Sequence, residues 1–453
     1  MRSERLLVIG GVAAGMSAAS RARRLDPNLE IVVLEKGQDV SYGACGLPYF
    51  ISGRVADAAE LIVHNADFFR KERNIDVRLG HKAVSIEPGF KLVVAETDHG
   101  QRAEIHYDKL VLATGGAPAE NIPGSDRANV FTCTDLASAV RLRAFLEREK
   151  PRRAVIAGSG YIGLEVADAL ASRGLEVTIL ERSEAALDGV DEELAAEIER
   201  LLSAHSVVLK KKSPVSQIVG PVGGLATSVL HSLAGSLPAD LVILSTGIRP
   251  RTELAESADV TLGRTGAIAV DDAMRTNVHS IFAAGDCTEV QHLDTGAPPY
   301  FPLGTTANKQ GRVAGENAAG GRARFPGIVG TLVTKLFELG IAKTGLSLAQ
   351  AKESGFSPQS VVIASISKAK YFGGKPLLVK LIWDQPTGLL LGCQMAGEDG
   401  AAKRIDVAAM ALHARMRVAD MVNLDLGYAP PFAPVWEPIL IAAHEAMKVI
   451  GRR

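Results

Sequence analysis

No CxxC pair occurs among the four cysteines, Cys45, Cys133, Cys287 and Cys393, which stand far apart in the 453-residue chain. Their scatter argues against a disulfide scaffold and against a cysteine zinc site. The 10 histidines show no ligand spacing either, so no metal is expected. Charge of one sign is also missing: 50 Lys and Arg face 51 Asp and Glu, a net charge of -1. No whole-protein field draws the chain to nucleic acid or to an anionic membrane. No apolar run reaches the roughly 18 residues that a membrane helix needs. The opening MRSERLLVIGGVAAG runs straight into a glycine turn, which marks a first strand rather than a signal peptide. A soluble, cytoplasmic protein that acts on small molecules is expected.

What the chain does have is two glycine turns, each set between a strand and a helix. LLVIGGVAAGMSAASRARRLD passes from an apolar strand through Gly10, Gly11 and Gly15 into an alanine-rich helix. The following strand, EIVVLEK, ends in Glu35, an acid placed to accept bonds from an adenosine ribose. A pyrophosphate would rest on the helix N-terminus, where unpaired N–H groups and the helix dipole favour negative charge. Val12 replaces the middle glycine of GxGxxG. The pattern returns complete in RAVIAGSGYIGLEVADALASRGLEVTILERS, with Gly158, Gly160 and Gly163, and with Glu181 closing the second strand. Each unit has a similar closing element, YDKLVLATGGAP and ADLVILSTGIRP, and the first also carries meander strands within AVSIEPGFKLVVAETD. This internal duplication predicts two bound nucleotides, one permanent and one exchanging. In TNVHSIFAAGDCTE, Asp286 follows a strand end and a glycine, a placement suited to the ribityl and phosphate part of a flavin. Glu181 favours the free 2′-hydroxyl of NADH over the NADPH phosphate, and Arg182 beside it softens that preference.

SYGACGLPYF reads as a turn feeding a helix, and it presents Cys45 as a lone exposed thiol. The motifs follow in a fixed order: first glycine fingerprint, SYGACGLPY, ATGG, second fingerprint, STGIRP, IFAAGDC, PLGTTANKQGRVAGEN and YAPPF. Over nearly the whole chain this order resembles the pyridine nucleotide-disulfide oxidoreductases. Within them it is similar to the single-cysteine branch of coenzyme A disulfide reductases, NADH oxidases, NADH peroxidases and persulfide reductases.

The resemblance implies an α/β fold of two Rossmann-like domains, one for FAD and one for NAD(P)H, plus a C-terminal α+β dimerisation domain. The expected divisions are 1–113 and 246–324 for the split FAD domain, 114–245 for the inserted NAD(P)H domain and 325–453 for the interface domain. From RFPGIVGT onward the glycine fingerprints stop, and the apolar segments SVVIASISK, LLVKLIWD and GLLLGCQMAG lead into the helical DGAAKRIDVAAMALHARM, which suits such a module. No rhodanese-like module is expected after GRR. Two copies would form a homodimer with shared active sites, using FAD and NADH or NADPH. By resemblance the cofactor-binding positions are Gly10, Val12, Ala13, Ala14, Gly15, Glu35, Lys36, Ser41, Thr114, Gly115, Gly158, Gly160, Tyr161, Ile162, Gly163, Glu165, Glu181, Arg182, Gly247, Gly285, Asp286 and Ala307. Of these, Glu165 would lie near nicotinamide and flavin.

Dithiol relatives close an internal disulfide, and here the second cysteine is absent. Cys45 can therefore be oxidised to a sulfenic acid or to a mixed disulfide with an external thiol. In the expected cycle NADH reduces FAD, the flavin reduces the Cys45 mixed disulfide, and the Cys45 thiolate, its pKa lowered by its surroundings, attacks the next disulfide. Peroxidase and oxidase members typically place a histidine in the first glycine turn, where this chain has Ala13. Ser17, Arg21 and Arg24 share one face of the early helix. Coenzyme A reductases grip the phosphorylated end of coenzyme A from positions matching Ser17, Arg21, Arg24, Ser41, Arg73 and Asn308, and arginine's planar fork suits phosphate. Two positions depart: Ala44, where asparagine is common, and Trp436, where a basic residue can occur. Tyr428 and Tyr371 match catalytic tyrosines that reach the site from the other subunit. Cys287 is expected to be a packing residue near the flavin, and Cys133 and Cys393 have no chemical context. Coenzyme A disulfide or persulfide reduction is the leading reading. The alternatives are an NADH oxidase or peroxidase cycling through sulfenic acid, and an electron-transfer reductase for a small redox protein.

Overall fold

The computed structural model describes residues 4–119, 122–221, 223–232, 235–297 and 299–451. Its first unit is a five-stranded parallel sheet in the order 281–283, 109–112, 5–9, 30–34, 76–78. The strands are apolar along their length, as burial on both faces of a parallel sheet demands. Val8 and Ile31 face helices Ala13–Leu25 and Gly304–Ala318, while Leu7 and Val32 face the antiparallel meander 81–87, 92–97 and 102–106. The strand Ile281–Ala283 joins this sheet from beyond the second unit, so the chain leaves the sheet and returns to it.

The second unit repeats the plan. Its parallel sheet runs 208–210, 176–180, 153–157, 241–244, 130–132, with a three-stranded antiparallel piece at 215–219, 228–231 and 235–238. The two crossings between the units pair with each other as the short antiparallel strands 116–118 and 248–250. The third unit is a five-stranded antiparallel sheet, 332–336, 339–345, 390–397, 376–384, 358–366, packed against helices Ala401–His413 and Pro438–Ile450. Among the described residues no helix is long and apolar enough to cross a membrane.

The glycine turns have a specific backbone cause. Gly10 and Gly158 sit at φ of +108° and +97°, and a Cβ at either would come within 2.1 Å of the Ala113 carbonyl oxygen or 2.3 Å of that of Ser245. Only a residue without a side chain lets the chain turn there against the neighbouring strand.

Candidate active site

A single cavity of about 2060 Å³ runs along the carboxyl ends of both parallel sheets. It is larger than the roughly 300–1,000 Å³ of a site for one drug-sized ligand, and it has room for two nucleotides. The helices that open from its two glycine turns, Ala13–Leu25 and Tyr161–Ala171, have no side-chain cap and no acid in their first turns. Helices Ala66–Arg73 and Leu136–Glu149, elsewhere in the same units, are capped by Asn65 and Asp135. The uncapped turns leave backbone donors facing the cavity, which suits pyrophosphate.

The two strand-end acids do the same job in both units. Glu35 accepts from the backbone N–H of Gly11 and of Gly37, each at 2.7 Å. Glu181 accepts from N and Oγ of Ser159 at 2.7 and 2.8 Å, and from N and Oγ of Ser183, both at 2.8 Å. Each carboxylate thus clips the glycine turn to the turn after its own strand, while a carboxylate's remaining lone pairs stay open to ribose hydroxyls. Burial pushes the Glu181 carboxyl up, but the donors from Ser159 and Ser183 outweigh it and hold the group below its ordinary value. Glu181→Gln turns an amide N–H₂ toward one of these donors and is expected to cost about 1–3 kcal/mol in urea unfolding at pH 7. Because the folded carboxyl titrates below the unfolded one, the stabilisation is in place above about pH 4.3 and fades as pH falls through the folded value. The gap between wild type and variant should therefore close in acid.

Most of the expected cofactor positions line the cavity, including Val12, Lys36, Thr114, Gly247 and Ala307. Gly15, Gly163 and Ser41 are not in its wall. A Cβ at Gly15 would lie 1.8 Å from the Gly10 carbonyl oxygen, and one at Gly163 would lie 2.2 Å from that of Gly158. These two glycines press each helix onto its own turn. Ser41 holds its loop through its backbone, its N–H donating to Gly11 at 2.9 Å, with φ at +51°. Asp286 faces the cavity, and burial pushes its carboxyl up from its ordinary value.

Cys45 lies in a short 3₁₀ turn, Ala44–Gly46, that leads into helix Leu47–Ser52. The thiol is exposed to the same cavity that both glycine turns enter, and all four cysteines are free. The expectation of a thiol acidified by its surroundings is corrected here. Burial, then the charges of Glu165 and Asp286, push the Cys45 thiol up from its ordinary value. Cys287 is fully buried and donates to backbone carbonyls of Ala284 and Leu112, a packing role. Cys133 is buried in the cavity wall and Cys393 in the third sheet, and burial raises both thiols.

The basic strip is less open than its spacing suggests. Helices 13–25 and 304–318 approach closely, and Ser17 donates to Asn308 Oδ1 at 2.7 Å while Arg21 pairs with Glu316 at 2.6 Å. Arg24 bonds the Ser20 carbonyl, and Arg73 lies over the Phe68 ring at 5.4 Å. Of the six residues considered for coenzyme A, Asn308 alone lines the cavity. Tyr371 and Tyr428 are 77% and 50% exposed and stand outside the cavity of their own chain. The sequence reading missed Thr334, whose Oγ1 donates to Glu165 at 2.7 Å, and Tyr300, whose hydroxyl donates to the Asp286 carbonyl at 2.9 Å. Neither sits in a motif. Among the described residues no group of three or more His, Cys, Asp or Glu is placed to hold a metal.

A family model described as pyridine nucleotide-disulphide oxidoreductase matches residues 4–311. The chain belongs to this family. The family's dimerisation domain matches residues 332–438, the antiparallel third unit. A protein of Pyrococcus horikoshii named NAD(P)H coenzyme A polysulfide/persulfide reductase is 38% identical over 446 residues, 97% of this chain and 98% of its own. A protein of Methanocaldococcus jannaschii named NADH oxidase is 32% identical over 455 residues, 99% of this chain and 100% of its own. Among solved structures, an NAD-dependent persulfide reductase from A. fulgidus matches with a TM-score of 0.95 and 39% identity, over 98% of this chain and 83% of that one. As a member of the pyridine nucleotide-disulphide oxidoreductases, the protein is an NAD(P)H-dependent flavin oxidoreductase.

Proposed function

We propose that the protein reduces a small disulfide or persulfide of the coenzyme A class, using NAD(P)H, with Cys45 as the redox-active sulfur. The observation that carries this reading is a single exposed thiol in the cavity that both glycine turns enter, with every other cysteine buried. The named function of the Pyrococcus horikoshii relative supports it.

The uncapped helix starts, the Glu35 clip and Asp286 fit FAD, and the matching set at Gly158–Gly163 and Glu181 fits NAD(P)H. Bound FAD supplies a two-electron path from nicotinamide hydride to sulfur. The rest falls to the chain's own residues. Cys45, as thiolate, attacks one sulfur of the acceptor; the S–S bond breaks, one thiolate leaves, and the other half stays bound to Cys45 as a mixed disulfide. Two electrons then break the mixed disulfide's S–S bond, returning Cys45 to thiolate and releasing the second half as a thiolate, which takes up a proton from solvent. Ser17, Arg21, Arg24, Ser41, Arg73 and Asn308 are the groups we assign to the phosphorylated end of coenzyme A, and in a homodimer the partner subunit's Tyr428 and Tyr371 would approach the Cys45 sulfur.

The Methanocaldococcus jannaschii relative named NADH oxidase favours a second reading, in which Cys45 cycles through sulfenic acid. NADH consumption measured side by side with coenzyme A disulfide, coenzyme A persulfide, peroxide and oxygen separates the two. The disulfide or persulfide should be the fastest acceptor, and the mass of the denatured protein, prepared without added thiol, should show coenzyme A on Cys45. Faster turnover with oxygen or peroxide, with no adduct, would replace this reading by the oxidase one.

A further inference from the structure

Glu165 stands in the wall between two spaces. On one side is the large cavity, which it lines with Cys45 and Pro48. On the other is a pocket of about 10 Å³, room for a single water. That pocket is bounded by the same Glu165 and Pro48 and by Tyr49, Ser52, Arg54, Asp168 and Lys335. Arg54 and Lys335 are exposed, so the pocket has a basic rim at the protein surface.

Three elements meet around the carboxyl. Its helix, Tyr161–Ala171, packs on helix Leu47–Ser52 behind Cys45 and on strand Leu332–Leu336 of the dimerisation domain. From that strand Thr334 Oγ1 donates to Glu165 Oε1 at 2.7 Å, and Lys335 follows it in the chain. From the Cys45 side, Cys45 and Tyr49 feel the Glu165 charge, as does Cys133, which lines the same large cavity. On its own helix the neighbour is Asp168, which Arg54 pairs at 3.3 Å. Burial and the Asp168 charge push the Glu165 carboxyl up against the pull of Thr334. The group thus keeps its proton to higher pH than an ordinary carboxyl, the direction that suits a proton donor.

Reduction of a disulfide by NADH consumes one proton from solvent: NADH, H⁺ and RSSR give NAD⁺ and two RSH. The hydride supplies both electrons and one hydrogen, one S–S bond breaks and two S–H bonds form. With nucleotides filling the cavity, the solvent proton needs an entrance that they do not block.

We propose that Glu165 passes this proton from the water-sized pocket to the thiolate released at Cys45, with Thr334 as its positioning residue. The O–H bond of the carboxyl breaks, an S–H bond forms, and the carboxylate regains its proton from the pocket water, which exchanges with solvent past Arg54 and Lys335. This inference rests on the disulfide reading of the site.

The test compares wild type, Glu165→Gln and Thr334→Val as full-length, flavin-loaded protein, by the pH profile of NADH-driven coenzyme A disulfide reduction and by the pH profile of Cys45 alkylation with iodoacetamide. Glu165→Gln should lower kcat about a hundredfold or more, as loss of a general acid does, and erase the alkaline limb of the profile. Its alkylation midpoint should move to lower pH, because a negative neighbour is gone. Thr334→Val should move the alkaline limb to higher pH, because the carboxylate loses a donor. Glu165→Gln profiles that overlay wild type in both measurements would overturn the inference. If that variant does not fold, an unmoved limb in Thr334→Val would overturn it instead. If wild type reduces no disulfide, the functional reading fails, and alkylation, which needs no substrate, still decides: an unshifted midpoint in Glu165→Gln rejects the link between the two groups.

Discussion

Cys45→Ser is expected to lower NADH-driven reduction of coenzyme A disulfide by about a thousandfold or more, while NADH oxidation by ferricyanide is largely kept. A serine hydroxyl forms no bond equivalent to a mixed disulfide, so the loss is of the covalent intermediate and not of a binding contact. Nothing else in the chain can take over. Cys133 and Cys287 are buried, burial raises both thiols, and Cys393 belongs to the third sheet. The residues proposed to hold the nucleotides, at the glycine turns and at Glu35, Glu181 and Asp286, are untouched, so the variant should still hold flavin and accept hydride. Stopped-flow reduction by NADH followed by mixing with the disulfide separates the two halves: the first should survive and the second should vanish. Unimpaired disulfide turnover would remove Cys45 from the mechanism. The free thiol of the wild type should also alkylate with a midpoint above the ordinary thiol value of about 8.5, because burial, Glu165 and Asp286 all oppose its charge.

Much of this architecture is local code. A strand, a glycine turn, a helix and an acid within one short stretch are enough to place a nucleotide unit, and both units fold as their spacing implies. The same locality hid part of the logic. Glu35 and Glu181 fit a ribose-binding reading, but each also clips two turns together, which becomes visible only when the strand ends are brought side by side. Gly15 and Gly163 fit a phosphate motif, yet their role is contact with the preceding turn. Cys45 was legible as a lone thiol, whereas its electrostatic setting was not, since Glu165 and Asp286 arrive from distant parts of the chain. Arg21 looked free because its partner, Glu316, lies 295 residues away. Thr334 belongs to the dimerisation sheet, and no motif in either nucleotide unit points to it. Tyr371 and Tyr428 could be placed by resemblance, but a single chain leaves them outside its cavity.

Lys380→Met is expected to destabilise the fold by about 3–5 kcal/mol. Lys380 is 2% exposed on strand 376–384, and its Nζ lies 2.6 Å from Glu193 and 3.2 Å from Asp191, at the start of helix Glu192–Ala204 in the second unit. Asp191 is bound on its other sides by the Leu348 N–H at 3.1 Å and by Gln394 Nε2 at 3.1 Å. The lysine is thus the charged centre of the joint between the nucleotide unit and the dimerisation sheet, and methionine keeps its volume while leaving two acids without that cation. Adding Glu193→Gln and Asp191→Asn should recover part of the loss, because the residual cost comes from unpaired charge and not from a cavity. Lys343 supplies the nearby second cation, donating to the Gly189 carbonyl at 2.7 Å, and burial lowers its ammonium to about 8 despite Asp191 and Asp188. A lysine depressed in the folded state makes the unfolded chain the stronger proton binder, so wild-type stability should rise with pH from about 8 toward the unfolded value of about 10.4. Urea unfolding at a series of pH values reads both effects, and an unchanged midpoint in the single variant would show that the joint does not depend on this charge.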